Sequence, residues 1–425
     1  MLNIPDSEHQ RIVIIGAGFA GFNLAKKLAK RNFQIVLIDK YNYHQFQPLL
    51  YQVAMAGLEP SSIIYPLRKA FQRNKNVHIR IAEVQSVNSE GKKVETSLGT
   101  IYFDQLIIAC GATTNFFGNK NFENLTLGLK SLPESLTLRN AILDDLEHAL
   151  MTPDYELRQG FIDIVIVGGG ATGVELAGAL AEMKRYIIPK DYPELNEKEV
   201  DIHLIHGGPR ILMGMSEKAS SKAHKFLEKL GVKIELNKRV TDYDGTFVST
   251  KDGDRIRAHK VIWAAGITGN KIDGLPDNVF ASGGRIRVNQ LNQVEGFEDI
   301  FAIGDIAYMA NDDFPNGHPQ VAQVALQQSN NLAYNYIKQK ERPFKYKDYG
   351  SLATIGRNKA VADLPKLKMA GFIAWLLWLF VHLMSLVGFK NRIFVLLNWT
   401  WNYMTYDQSL RVIVKAAKHV HQDDD

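Results

Sequence analysis

Arg11-Ile12-Val13-Ile14-Ile15-Gly16-Ala17-Gly18-Phe19-Ala20-Gly21 is the stretch that decides the fold. Four β-branched residues run straight into glycine, the pattern of a short buried strand. A helical run, Phe22 to Arg31, follows. Strand, glycine turn and helix in that order make a phosphate cradle. Gly16 permits the tight turn, Gly18 has no Cβ to keep a pyrophosphate off the backbone, and Gly21 lets helix and strand pack closely. The helix start adds free N–H groups and the positive end of a dipole. A second strand, Phe33 to Ile38, ends at Asp39, whose carboxylate is placed to accept hydrogen bonds from a ribose. Glycine turns alone arise without function; the flanking strand, helix and acid make this one specific for a dinucleotide.

The pattern recurs once. Ile162 to Val167 reads as a strand, Gly168-Gly169-Gly170-Ala171-Thr172-Gly173 as the loop, Val174 to Tyr186 as the helix and Asp201 to Ile205 as the next strand. Two such units imply an α/β fold with two Rossmann-like dinucleotide-binding domains and two dinucleotides. Gly168, Gly170 and Gly173 repeat the roles of Gly16, Gly18 and Gly21. The second unit departs at its ribose end, where His206-Gly207-Gly208 stands in place of an acid. A carboxylate there favours a free 2′-hydroxyl and repels a 2′-phosphate, and nearby Arg210 favours the phosphate. NADH versus NADPH stays open on these residues. Glu175, two positions after Gly173, is expected in the first helical turn, facing a bound pyrophosphate and nicotinamide. The plainer alternative is an acid that complements the helix dipole. Glu182 is expected to be solvated or to bridge domains.

Asp104 to Ala112 and Lys260 to Thr268 each run apolar into glycine, as at crossings between the two domains. Ile300 to Asp305 (IFAIGD) puts a carboxylate after a buried strand. The expected division is 1–113 and 293–362 for the first domain, 114–292 for the second and 363–425 for a C-terminal appendage.

Cys110 is the only cysteine of the 425 residues. One thiol makes no internal disulfide, iron–sulfur cluster or CxxC pair, so the chemistry falls to an organic cofactor and no metal site is expected. In its apolar run Cys110 reads as a small buried hydrophobe. Met1 to Gln10 has neither the apolar run of a secretory signal nor the arginines of a transit peptide, which predicts a cytoplasmic setting.

The charge is unevenly placed. Arg357, Lys359, Lys366, Lys368, Lys390, Arg392, Arg411, Lys415 and Lys418 stand against Asp363 and Asp407 alone, outweighing the whole chain's +5. With apolar residues beside them, these charges predict an anionic lipid surface and no nucleic acid. Met369 to Phe389 has only His382 and Ser385 as polar side chains, a length that can span a bilayer, lie in one leaflet or form a core helix. A second apolar run, Ile393 to Met404, is too short to cross. Trp375, Trp378, Trp399 and Trp401 fit the headgroup level, and basic residues on both flanks favour anchoring on one face. His382 reads as a polar residue tolerated at that interface.

With these motifs the chain resembles the two-dinucleotide-binding-domain flavoproteins, and more closely the type II NADH dehydrogenases, single-subunit NADH:quinone oxidoreductases. The resemblance runs from Arg11 to about Lys415 and rests on Asn42 to Ala54 (NYHQFQPLLYQVA), Gly168 to Glu182 (GGGATGVELAGALAE) and Ala322 to Gln328 (AQVALQQ). It implies non-covalent FAD at the first loop, with Lys40, Gln47, Val84, Asp305 and Ala322 as further contacts, and NAD(P)H at the second. It implies a catalytic Glu175 by the nicotinamide and flavin, and Gln323 against the flavin ring at the quinone site. Where some relatives have a histidine this chain has Leu326, which puts proton delivery through that position in doubt. Relatives that oxidise sulfide or reduce disulfides need paired cysteines, so both activities are excluded. The expected reaction is hydride transfer from nicotinamide C4 to flavin N5, then two electrons to a membrane quinone, with no proton pumping. The implied location is monotopic, through amphipathic C-terminal helices on the cytoplasmic face of the bacterial inner membrane, and relatives there are often homodimers. Two other readings are a flavoprotein reductase of a protein carrier such as ferredoxin and a non-catalytic dinucleotide sensor.

Overall fold

The strand Arg11–Ile15 lies at the centre of a five-stranded parallel sheet in the computed structural model, which describes residues 3–407 and 410–414. Its neighbours are Gln34–Asp39 and then Val77–Ile81 on one side, and Gln105–Ile108 and then Ile300–Ala302 on the other. A parallel sheet is covered on both faces, which is why these strands are runs of Ile, Val and Leu rather than alternations. The glycine loop sits at the carboxyl end of the central strand, where the strand order reverses and ligands bind in open α/β sheets.

Two compact units divide the chain. The first comprises residues 1–45, 64–115 and 267–349, the second 46–63, 116–266 and 350–425. The second unit repeats the plan with four parallel strands, in the order Lys233–Leu236, Ile202–His206, Ile164–Val167 and Lys260–Trp263. Each unit also carries an antiparallel meander: Val84–Asn88, Lys93–Thr96 and Gly99–Tyr102 in the first, Val240–Tyr243, Phe247–Thr250 and Arg255–Arg257 in the second.

The expected boundaries need correction. The chain re-enters the first unit at Ile267, not at 293, because Ile267–Gly269 pairs antiparallel with Ala112–Thr114 and Asp273 C=O accepts from Val87 N–H. The stretch 46–63 belongs to the second unit, where the Leu50–Ala54 helix packs against the helices Leu132–Leu150 and Ala171–Tyr186. The C-terminal part of that unit begins at Gly350 with a three-stranded antiparallel sheet, Ser351–Thr354, Ala360–Asp363 and Lys368–Gly371, so residue 363 falls inside a sheet.

Met369 to Phe389 is not one helix. It starts as strand, and the helix runs only from Phe372 to Ser385. A second helix, Phe389–Thr405, takes in the Ile393 to Met404 run. Gly371 (φ 88°) and Gly388 (φ 90°) stand immediately before the two helices in a backbone region that L side chains avoid, and so set the breaks. Fourteen residues make a helix of about 21 Å, short of the roughly 30 Å of a hydrocarbon core. Among the described residues no helix is long and apolar enough to cross a membrane. Lys415 and Lys418, counted in the basic C-terminal stretch, lie outside the described residues.

Candidate functional site

The first loop is a cradle whose three glycines do different things. A Cβ on Gly16 would lie 2.4 Å from the Ala109 carbonyl oxygen, and one on Gly21 would lie 1.9 Å from the Gly16 carbonyl oxygen. A Cβ on Gly18 meets nothing within 4 Å. Gly16 and Gly21 are therefore glycine for the fold, and Gly18 borders the open space that a pyrophosphate needs. Gly18 also N-caps the helix Phe19–Leu28, so free N–H groups face that space. Asp39 accepts from Ala17 N–H (2.6 Å) and Tyr41 N–H (2.8 Å), one on each oxygen. Each oxygen keeps a lone pair for a ribose hydroxyl. Burial raises the Asp39 pKa against the pull of these two bonds.

The other expected residues of this unit are spread along it. Lys40 is exposed, with its ammonium over the Tyr41 ring, and Val84 opens the meander. Asp305 sits in the turn Gly304–Ile306, where its charge opposes the lowering that burial imposes on the Arg285 pKa. Ala322 starts the helix Ala322–Lys338. Within that helix the glutamines divide their work. Gln328, fully buried, accepts from Gly304 N–H at 2.7 Å and so fixes the turn that carries Asp305. Gln327 exchanges two hydrogen bonds with the Lys347 backbone, and Gln323 accepts from Tyr349 N–H at 3.0 Å. Leu326 is partly buried. Cys110 donates its thiol to the Asn270 carbonyl, and burial pushes its pKa up to about 12.

The second loop repeats the cradle. A Cβ on Gly168 would lie 2.3 Å from the Ala264 carbonyl oxygen, one on Gly173 would lie 2.0 Å from the Gly168 carbonyl oxygen, and one on Gly170 meets nothing. At the ribose end His206 takes the part of Asp39: its Nδ1 accepts from Gly169 N–H at 3.2 Å. A ring nitrogen that accepts is unprotonated, so Nε2 carries the hydrogen of the neutral imidazole. Burial lowers the His206 pKa from its ordinary value. Arg210 is not free for a 2′-phosphate. Its guanidinium donates to the carbonyls of Leu212, Met213 and Met215 and so holds its own loop.

Gln47 falls in the second unit, at the start of a short 3₁₀ turn, Gln47–Leu49. Glu175 departs from its expected position. The helix begins at Ala171, so Glu175 is its fifth residue and stands in the second turn. Glu175, Gly178 and Glu182 share one helix face, spaced three and four apart, and that face meets the turn after Thr354. A Cβ on Gly178 would lie 2.8 Å from Gly356 N, so only glycine allows this approach. Glu182 is partly buried: its carboxylate accepts from Arg357 N–H, and burial raises its pKa. Glu175 is 8% exposed; Oε1 accepts from Thr354 N–H (3.3 Å) and Trp378 Nε1–H (3.2 Å). Burial outweighs both bonds and lifts its pKa to about 8.

Glu175 stands on the wall of a cavity of about 520 Å³, with Tyr51, Gln52, Trp378 and Trp399 around it. This site was not legible as such. Trp378 is buried, Trp399 donates Nε1–H to Gln52 Oε1 (2.7 Å) and Trp375 also lines the cavity, so three of the four tryptophans expected at headgroup level border it instead. Gln52 in turn donates to Tyr51 Oη at 2.8 Å. The available signal was the four-residue spacing of Ala374, Trp378 and His382. His382 stacks on Trp378 (4.0 Å between centroids) with Nδ1 on the Trp378 carbonyl, and burial lowers its pKa to about 4. Arg357 binds the carbonyls of Asn402 and Tyr403, a cation at the negative end of the second helix. The outward faces of both helices are apolar and exposed, with Ile373, Phe380, Phe389, Leu397 and Met404 each over 60% accessible. No group of three or more metal-ligating side chains occurs among the described residues.

Comparison with known proteins gives a consistent set of likenesses. Residues 10–329 match the pyridine nucleotide-disulphide oxidoreductase family, and residues 349–405 match the NDH2 C-terminal domain. Two relatives from Mycobacterium tuberculosis are the type II NADH:quinone oxidoreductases Ndh and NdhA. Ndh is 35% identical over 94% of this chain and 89% of its own length, and NdhA 36% over 93% and 87%. Among solved structures, NDH2 from Plasmodium falciparum in complex with NADH superposes with a TM-score of 0.87. It covers 96% of this chain and 100% of its own at 21% identity, a likeness of fold.

Proposed function

We propose, on the premise that this chain belongs to the type II NADH:quinone oxidoreductases, that it oxidises NADH and passes two electrons to a membrane quinone. It is an oxidoreductase that works through a flavin. FAD is the flavin that suits the first loop, since Gly18 leaves room for a pyrophosphate and Asp39 offers acceptors to a ribose. When bound, FAD would supply the redox chemistry, accepting hydride in one half-reaction and giving up electrons in the other. Gly16, Gly18, Gly21 and Asp39 would hold it, with Lys40, Gln47, Val84, Asp305 and Ala322 as further contacts and Gln323 on the quinone side of the ring. Gly168, Gly170, Gly173 and His206 would hold the nicotinamide dinucleotide. Glu175, protonated at neutral pH, would supply a proton to the quinone.

The observation that carries this reading is the cavity of about 520 Å³ that joins Glu175 to the two C-terminal helices. It is largely apolar, as a quinone head and the start of an isoprenoid tail require, and of the two acids on its wall Glu182 is engaged by Arg357 N–H, which leaves Glu175 as the proton-bearing one. The exposed apolar faces of the same helices fit insertion into one leaflet. Lys366, Lys368, Lys390 and Arg392 beside them fit an anionic lipid surface, on the cytoplasmic face of a bacterial inner membrane.

The test is a titration of the purified protein on phosphatidylglycerol vesicles. The expected result is a yellow protein that NADH bleaches and a short-chain ubiquinone restores. Bleaching that only ferredoxin reverses would make it a carrier reductase, and no bleaching would leave a nucleotide sensor.

A further inference from the structure

Glu175 takes both of its hydrogen bonds on one oxygen. Thr354 N–H and Trp378 Nε1–H converge on Oε1. In a protonated carboxyl, an oxygen that accepts twice is the carbonyl oxygen, so the proton resides on Oε2. The Thr354 donor is backbone, fixed by the strand Ser351–Thr354. The Trp378 donor is a side chain, carried by the helix Phe372–Ser385, whose far face is exposed.

We propose that Trp378 is a positioning residue for quinone reduction: its indole N–H pins Oε1 of Glu175 and so leaves the transferable proton on Oε2. The inference rests on the reading that the quinone uses this cavity. Trp378 is itself firmly placed. It is 1% exposed, stacked with His382 and met by Trp399 at 5.9 Å and by the edge of Tyr51 at 6.5 Å.

The charged and titratable groups around Glu175 leave this bond to matter. On its own helix Glu182 is engaged with Arg357 N–H. From the helix Leu50–Ala54 comes Tyr51, whose phenol burial keeps protonated. From the turn after Thr354 come Arg357, committed to the Asn402 and Tyr403 carbonyls, and Lys359. From the helix Phe372–Ser385 comes His382, which burial keeps neutral. Among the described residues no cation pairs with Glu175, so its charged form depends on the two donors. Removing the Trp378 donor therefore strengthens the hold on the proton.

The experiment measures quinone turnover against pH with a short-chain ubiquinone, using the full chain on phosphatidylglycerol vesicles. A proton donor fails as pH rises through its pKa, so turnover falls on the alkaline side near pH 8. In Trp378→Phe the midpoint of that fall is expected about one pH unit higher, the size of a hydrogen bond to a charged group. Glu175→Gln is expected to lose the alkaline limb altogether. A benzothienylalanine in place of Trp378 keeps the bicyclic ring and lacks the N–H, so it gives the same shift without a packing defect. The protonated Glu175 carboxyl is followed in parallel by infrared difference spectra without quinone. An unmoved carboxyl titration, or an unmoved limb with only KM altered, overturns the proposal. A carboxyl that shifts while turnover shows no alkaline limb in any variant would instead refute the cavity as the quinone site.

Discussion

The two glycine loops are the same object built twice, and they differ at their ends. In both, the first glycine abuts a carbonyl of the neighbouring strand's exit, the third abuts the first, and the second faces open space. In both, the loop's second residue donates its N–H to the side chain that ends the next strand: Ala17 to Asp39, and Gly169 to His206. The cradle is therefore indifferent to whether a carboxylate or an imidazole closes it. What changes is the neighbour. A Cβ on Gly169 would lie 2.8 Å from His206 Cγ, so the larger ring demands glycine where the carboxylate tolerates Ala17. Two residues after the third glycine the loops differ again. Asn23 is a neutral amide bonded to Ser329 and Asn330, whereas Glu175 is a buried acid facing a cavity. The backbone part of the two loops is built alike, and the two flanking side chains are what set them apart.

The largest effect is expected from breaking one cradle at a time. Gly21→Val and Gly173→Val place equivalent side chains onto equivalent carbonyls. If the loops are divided as proposed, Gly21→Val yields a colourless protein. Gly173→Val stays yellow but loses bleaching by NADH by about 100-fold or more, since the helix start can no longer meet the phosphates. Absorbance at 450 nm decides it. Loss of flavin from both variants alike would mean that the loops do not divide their ligands.

Converting Glu175 to an uncharged amide, as its counterpart Asn23 is, has a second and smaller effect, on stability. Its folded pKa, about 8, lies above the ordinary carboxyl value near 4.5. The folded protein thus binds more protons than the unfolded chain between those values, and stability falls as pH rises through them. The loss is complete above pH 8 and absent below pH 4.5. Glu175→Gln is expected to raise stability by roughly a few kcal/mol at pH 9 and by little at pH 4.5, read as Tm at the two pH values.

How much of this was legible in the sequence follows from what kind of contact each feature needs. The cradles were legible because strand, glycine turn, helix and the side chain that ends the next strand follow one another in sequence, although the carbonyls that Gly16 and Gly168 abut come from Ala109 and Ala264. The return crossing at Ile267 was not, because it depends on pairing Ile267–Gly269 with Ala112–Thr114, more than 150 residues away. Glu175 was found by spacing, but its partners Thr354 and Trp378 come from other elements and carry no local signal. The C-terminal stretch misled for a physical reason. Hydropathy cannot tell an exposed tryptophan from one that seals a cavity, and Trp401 and Trp378 are one of each. The glycines that break the stretch, Gly371 and Gly388, were the better guide.

The smallest effect sharpens the comparison most, because it asks whether the two loop ends can be exchanged. His206→Asp gives the second loop the closing acid of the first, and a carboxylate there repels a 2′-phosphate. Preference for NADH over NADPH, as the ratio of kcat/KM values, is expected to rise about tenfold, equivalent to some 1.4 kcal/mol. Gly169→Ala alone is expected to weaken both nucleotides, since its methyl meets the His206 ring. Combined with His206→Asp it reproduces the Ala17–Asp39 pair and regains what it lost, so the two changes are non-additive. The wild type carries a pH signature that the acid variant lacks. Nδ1 must shed its acceptor role to protonate, and burial holds the pKa low, so nucleotide preference stays level above pH 7. As pH falls through the depressed His206 pKa, the imidazolium forms, favours the 2′-phosphate and gives up its bond to Gly169. Relative use of NADPH then rises at acid pH in the wild type and stays flat in His206→Asp. A preference that tracks pH equally in both would place the discriminating charge elsewhere in the loop.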